Sequence, residues 1–258
     1  MPKAEIDLAA AKEKIKAFIQ RKVDEAQADG VVIGMSGGID SAVTAHLCVE
    51  ALGSRRVLGV IMPDLRMTPK EDVQDARGIC NELCIETKVV DIAPIHRSFM
   101  KNLEGNRLAE GNLRARIRMA TLYYFANSLD RLVAGTGDRS ELLLGYFTKF
   151  GDGGVDILPI ADLYKTEVRG LAEVLGVNRR VISKRSSPRL WAGQFAESEI
   201  GLSYDQIDEM LKFRFERKAE ARSISSKLKI PSVAVEKIVS RYNLSIHKRQ
   251  MPEICRVR

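Results

Sequence analysis

The sequence predicts an α/β fold, a doubly wound parallel sheet of about five strands with helices on both faces. Three observations carry this expectation. Short apolar runs recur through the first half of the chain, helix-length segments separate them, and the first run ends in a glycine-rich turn that opens a helix. Parallel strands need long crossovers, and this spacing supplies them. With 258 residues, 45% of them hydrophobic, the chain can bury the core that such a sheet requires.

Leu8, Ala11, Ile15, Phe18, Ile19 and Val23 repeat at three-and-four spacing, which predicts an amphipathic helix over about 7–29, laid on the sheet. The runs 31–35, 57–62, 87–90 and 131–134 then read as strands. In such sheets ligands bind at the carboxyl ends of the strands, and Ser36, Asp64, Asp91 and Gly135 fall at that edge. The helix expected over 107–129 is apolar on two sides. Leu113, Ile117, Ala120 and Tyr124 mark one side, and Ala115, Met119, Leu122 and Ala126 the other. Two apolar faces need two partners, the sheet and a second subunit, so a homodimer is expected. Segments 135–159 and 184–201 are glycine-rich or polar loops long enough to carry function. Helices over 204–218 and 231–242 and a basic tail at 247–252 complete a single domain, 1–258, without repeats or linkers.

Forty-one Lys and Arg against 34 Asp and Glu give a net charge of +7, which suits a polyanionic partner. Aromatics, at 6%, do not interleave with basic runs, so a small substrate is favoured over nucleic acid. Four cysteines are too few for a disulfide framework. Cys80 and Cys84, one helical turn apart, lack further metal ligands nearby, so reduced thiols are expected. No run approaches the roughly 18 apolar residues of a membrane span, and the expectation is a soluble cytoplasmic protein with no membrane partner.

The chemistry centres on Ser36-Gly-Gly-Ile-Asp-Ser41, between a strand and a helix. Paired glycines let backbone N–H groups point at an anion, and the helix N-terminus adds its positive end. A carboxylate there would repel phosphate, so Asp40 implies a divalent cation between them, with Ser36 and Ser41 as hydroxyl donors. The Lys of a Walker A loop is missing. The turn therefore suits an enzyme that holds pyrophosphate as a leaving group while the α-phosphate reacts. Gly135-Thr-Gly-Asp-Arg-Ser140 approaches a dinucleotide fingerprint, but Ser140 replaces its last glycine. Beyond it come Glu141, the segment Gly145-Tyr-Phe-Thr-Lys-Phe-Gly-Asp-Gly-Gly154 and Asp156. This mixture fits a substrate with sugar hydroxyls and phosphates, approached by a metal through Glu141. Of three arginines on the long helix, Arg114 and Arg118 share a face and Arg116 lies away from it.

Together these segments resemble the ammonia-dependent NAD synthetases. The resemblance is carried by the turn at 36–41, Gly111-Asn-Leu-Arg-Ala-Arg-Ile-Arg-Met119, Gly135-Thr136 with Glu141 and the segment 145–154. It continues through Leu163-Tyr-Lys165, Leu190-Trp-Ala-Gly-Gln194 and His247-Lys-Arg-Gln-Met-Pro252. It implies an adenine nucleotide alpha hydrolase-like (Rossmann-like) fold. It also implies ATP-dependent amidation of deamido-NAD to NAD with ammonia, through an adenylate, releasing AMP and pyrophosphate. By the same resemblance ATP would lie on Gly34, Met35, Ser36, Gly37, Gly38, Ile39, Asp40 and Ser41, with Thr136, Lys165 and Ser187. Asp40 and Glu141 would hold magnesium (Mg2+). Arg116, Lys149, Asp156, His247 and Lys248 would contact deamido-NAD near a dimer interface. No residue is needed as a covalent nucleophile, because the substrate carboxylate attacks phosphorus itself. Only about 30 residues precede the first strand, too few for an amidase domain, so ammonia is the implied nitrogen donor. The turn alone marks only the wider ATP pyrophosphatase superfamily. The competing reading is therefore a member that adenylates another acceptor, such as a tRNA base.

Overall fold

The computed structural model describes residues 6–257. Its elements run α1 (Leu8–Glu25), β1 (Gly30–Gly34), α2 (Ile39–Leu52), β2 (Val57–Ile61), α3 (Lys70–Glu82), β3 (Glu86–Val89), α4 (Ala93–Met100), α5 (Arg107–Ser128) and β4 (Arg131–Ala134). There follow α6 (Arg139–Leu144), α7 (Lys165–Val174), α8 (Arg179–Ile182), α9 (Ala196–Ile200), α10 (Tyr204–Leu211), α11 (Ala221–Leu228) and α12 (Ser232–Leu244).

Among the described residues the sheet has four strands, not about five, all parallel in the order β3-β2-β1-β4. The nearest approach to a fifth is one bridge between Ala134 and Ile157. That pairing cannot lengthen into a ladder. Pro159 has no N–H to donate, and Gly153 and Gly154 precede the segment. Every strand lies within one residue of its expected bounds.

Alternation along β1, β2 and β4 divides the sheet between two cores, while the edge strand β3 is largely exposed. Val31 and Ile33 of β1, Val57 and Ile61 of β2 and Ala134 of β4 pack with residues of α1, α2, α3 and α7. Val32, Leu58, Val60 and Val133 point the other way, onto Ile117 and Ala126 of α5. Cover on both faces explains why β1 and β2 read as continuous apolar runs rather than alternating ones. Each fully buried Val or Ile contributes about 1.5–3 kcal/mol. The first helix stops short of 29 because Gln27 takes φ +53, reversing the chain so that the Asp29 N–H reaches the Asp130 carbonyl at 2.7 Å. α10 ends at Leu211 in a π-helical turn, Lys212–Glu216, which covers most of the remaining expected helix.

A further core gathers the C-terminal helices: Leu144, Tyr204, Ile207, Met210, Ile224, Val235 and Ile238 pack together with Tyr164. Tyr164 precedes α7, which itself packs on the sheet, so the two cores meet at one helix start. The order β3-β2-β1-β4 places a topological switch point between β1 and β4. There the two carboxyl ends diverge into separate loops and leave a crevice.

Candidate active site

On one side of this crevice β1 runs through Met35 and Ser36 into α2. Gly37 has φ +76, and a Cβ built on it would lie 2.2 Å from the Asp72 carbonyl oxygen of α3, so both conformation and space demand glycine. The Gly38 N–H donates to Ser36 Oγ at 3.2 Å, and the Ser41 hydroxyl donates to the Gly38 carbonyl at 3.0 Å. With its one proton spent, Ser41 Oγ accepts from the Ser36 N–H at 3.3 Å and from the Ser36 hydroxyl at 3.1 Å. The two serine hydroxyls and the N–H groups of Ser36 and Gly38 thus close into one ring.

Across the crevice, Asp138 caps α6, its Oδ1 accepting the Glu141 N–H at 2.8 Å. Lys165, at the start of α7, is fully buried. Its ammonium lies 2.7 Å from Asp40, 2.8 Å from Asp138 and 3.2 Å from Glu141. Burial alone would depress Lys165, but the three carboxylates outweigh it and hold its pKa well above the ordinary value. Burial pushes Asp138 up to about 6 and Glu141 well above the usual carboxylate range, each opposed by Lys165.

Three carboxylates against one ammonium leave the cluster formally two negative charges in excess. Asp40 Oδ1 is buried without a partner. These observations fit a divalent cation. No group of three or more His, Cys, Asp or Glu stands in metal-binding arrangement among the described residues. Asp40 and Glu141 together would offer two carboxylates, and magnesium needs no more than one or two, completing its shell with water and substrate phosphate.

A cavity of about 910 Å³ opens over the crevice. Gly34, Met35, Ser36 and Asp40 line it from the end of β1 and the start of α2, Thr136 and Glu141 from the β4–α6 connection and α6, and Ser187 and Lys248 from later segments. Gly37, Gly38, Ile39 and Ser41 build the turn behind that wall, and Lys165 stands beneath the carboxylates. Ser187 Oγ donates to the Gln194 carbonyl at 2.5 Å, and Lys248 donates to the carbonyls of Gly145 and Phe147 at 2.9 and 2.8 Å. Burial lowers the Lys248 pKa.

Four other expected contacts lie outside the cavity lining. Arg116 donates to the Lys149 carbonyl at 3.3 Å, and Lys149 Nζ donates to the His247 carbonyl at 2.6 Å, which makes one surface chain. Asp156 accepts from the Tyr123 hydroxyl at 2.9 Å and from the Val133 N–H at 2.7 Å. The helix geometry of the neighbouring arginines is as expected. Arg114 pairs with buried Asp64 at 3.0 Å and Arg118 donates to the Met62 carbonyl at 3.0 Å, both at the β2 edge, while Arg116 is exposed.

Asp138 is the residue that sequence reasoning passed over. An Asp three positions before Glu141 is a helix-cap signal, and it was legible. Asp72 and Lys184, which meet beside the turn, had no such signal.

The family model described as NAD synthase matches residues 11–252. The chain belongs to the NAD synthase family. It is 51% identical over 247 residues to the NH(3)-dependent NAD(+) synthetase of Archaeoglobus fulgidus, covering 95% of this chain and 96% of that one. The family fold extends to solved structures. The NH3-dependent NAD synthetase from Campylobacter jejuni, in complex with a nitrate ion, matches at TM-score 0.84 and 34% identity, over 98% of this chain and 100% of that one. An NMN synthetase from Francisella tularensis matches at TM-score 0.86 and 33% identity, over 97% and 99%.

Proposed function

We propose that this chain converts deamido-NAD to NAD with ATP and ammonia. The observation that carries the reading is the Lys165 cluster beside the turn. An ammonium and excess carboxylates face a ring of phosphate-seeking donors across one cavity. Membership of the NAD synthase family and relatives named NH(3)-dependent NAD(+) synthetase support it over adenylation of a tRNA base.

In this reading the ATP phosphates lie on the turn from Gly34 to Ser41, where the Ser36 and Ser41 hydroxyls leave their ring to donate to phosphate oxygens. Thr136 and Ser187 border the same nucleotide, and Lys165 supplies positive charge below the phosphates. Asp40 and Glu141 would hold Mg2+, which neutralises phosphate charge when bound. A nicotinate carboxylate oxygen attacks the α-phosphorus and the bond to the β-phosphate oxygen breaks, releasing pyrophosphate. Ammonia then attacks the carboxyl carbon, loses a proton and displaces AMP. Adenylation turns an inert carboxylate into an ester with a good leaving group, so the protein's work is positioning and charge neutralisation. Lys248 would meet deamido-NAD at the cavity. Arg116, Lys149, Asp156 and His247 would meet the part of it that runs along the surface toward a second subunit.

Incubation with ATP, Mg2+, ammonium and deamido-NAD tests this. NAD, AMP and pyrophosphate are expected in equal amounts. Nicotinate mononucleotide is the comparison that the Francisella neighbour calls for, and a preference for it would shift the assigned acceptor. Failure to form either amide would overturn the reading.

A further inference from the structure

Lys184, on the loop after α8, reaches three groups at once. Its Nζ donates to the Gly37 carbonyl at 3.1 Å and to Asp75 Oδ2 at 2.6 Å, and lies 2.8 Å from Asp72 Oδ1. Two of the three ammonium protons are spent in hydrogen bonds, and the Asp72 carboxylate adds an ion pair. The two carboxylates on α3 are nearly buried and are held from their other sides. Arg189 Nε lies 2.8 Å from Asp72 Oδ2, and Arg180 Nη2 lies 3.2 Å from Asp75 Oδ1. Lys184 is therefore fixed by α3 and fixes the carbonyl in turn.

That carbonyl belongs to the peptide between two glycines, the kind that rotates most freely. In a trans peptide the C=O and N–H point in opposite directions. Holding the Gly37 carbonyl toward α3 aims the Gly38 N–H into the turn, where it meets Ser36 Oγ at 3.2 Å. The serine hydroxyls can swing from their ring to a ligand. The amide must stay where it is.

We propose that Lys184 is a positioning residue for nucleotide phosphate, acting through the Gly37 carbonyl to lock the Gly37–Gly38 peptide plane of the turn. It links the loop 184–194 to the phosphate turn without itself touching the cavity. The inference rests on the reading of this turn as the ATP site.

The test is equilibrium binding of α,β-methylene-ATP with Mg2+, measured by titration calorimetry, which needs no turnover. Lys184→Met is expected to weaken binding roughly tenfold or more, the range of a charge-assisted hydrogen bond. Lys184→Arg should recover most of it. Arg180→Met breaks an ion pair to the same Asp75 but leaves the Gly37 carbonyl untouched, and should bind as wild type does. If Lys184→Met does not fold, Lys184→Gln takes its place with the same criterion. In steady state the Michaelis constant for deamido-NAD should stay within about twofold, while that for ATP rises with the loss of binding. Unchanged analogue binding in Lys184→Met or Lys184→Gln overturns the proposal, as does an equal loss in Arg180→Met. Wild-type protein that does not bind the analogue at all overturns the nucleotide reading itself.

Discussion

Lys165, with no exposed surface of its own, holds three carboxylates together, and two of them are pushed upward by burial. Between its ordinary value near 4 and about 6, Asp138 keeps in the folded chain a proton that the unfolded chain has released. Its contribution to stability therefore falls as pH rises through that window. Asp138→Asn still offers an amide oxygen to the Glu141 N–H, so the cap survives and this slope disappears. Thermal midpoints of both proteins at several pH values between about 4 and 7 check it, and equal slopes would mean that Asp138 does not titrate there. Asp40→Asn is expected to fold normally but to lose at least about 100-fold in turnover, because an amide cannot balance a cation beside phosphate. Circular dichroism and steady-state rates decide between a folding and a charge effect.

Gly145 shows how closely the helices and loops constrain one another. It ends α6 in the left-handed conformation, φ +62, and a Cβ there would lie 2.2 Å from Ser245. Gly145→Ala combines backbone strain with overpacking and should cost about 2–4 kcal/mol, seen as a thermal midpoint lowered by roughly 5–10 °C. A shift under one degree would mean that the Ser245 segment moves freely. The strands were legible in the sequence because burial on two faces writes runs such as Val31-Val-Ile33 and Val57-Leu58, and Gly37, Gly38 and Asp40 carry the turn chemistry in their own types. What pairs at long range was not legible. Lys184 sits 109 residues from Asp75, and no local period announces such a meeting. The strand count also ran high, since a bridge at Ile157 and a strand look alike until the hydrogen bonds are placed.

Across the whole molecule, α5 buries Ala115, Ile117 and Ala126 but leaves Tyr124 69% exposed, and Phe99 and Leu103 of the α4 region are 52% and 54% exposed. Residues of both expected sides, Leu113 and Ile117 on one and Leu122 and Ala126 on the other, pack on the sheet, so the free part of α5 is narrower than expected, and we propose that a second copy covers it around Tyr124. Sedimentation at micromolar concentration should give twice 28.7 kDa, and Tyr124→Asp should shift the population toward monomer. A wild-type monomer would remove the proposal. The tail has a more practical consequence. Lys248 and Arg249 grip carbonyls of Gly145, Phe147 and Leu142, so the last well-anchored turn of the polypeptide buttresses a wall of the cavity. A truncation that removed Lys248 and Arg249 would take that support away from the cavity wall. α1 packs on α2 and α7 and contributes no residue to the cavity lining, so an affinity handle is better placed ahead of α1.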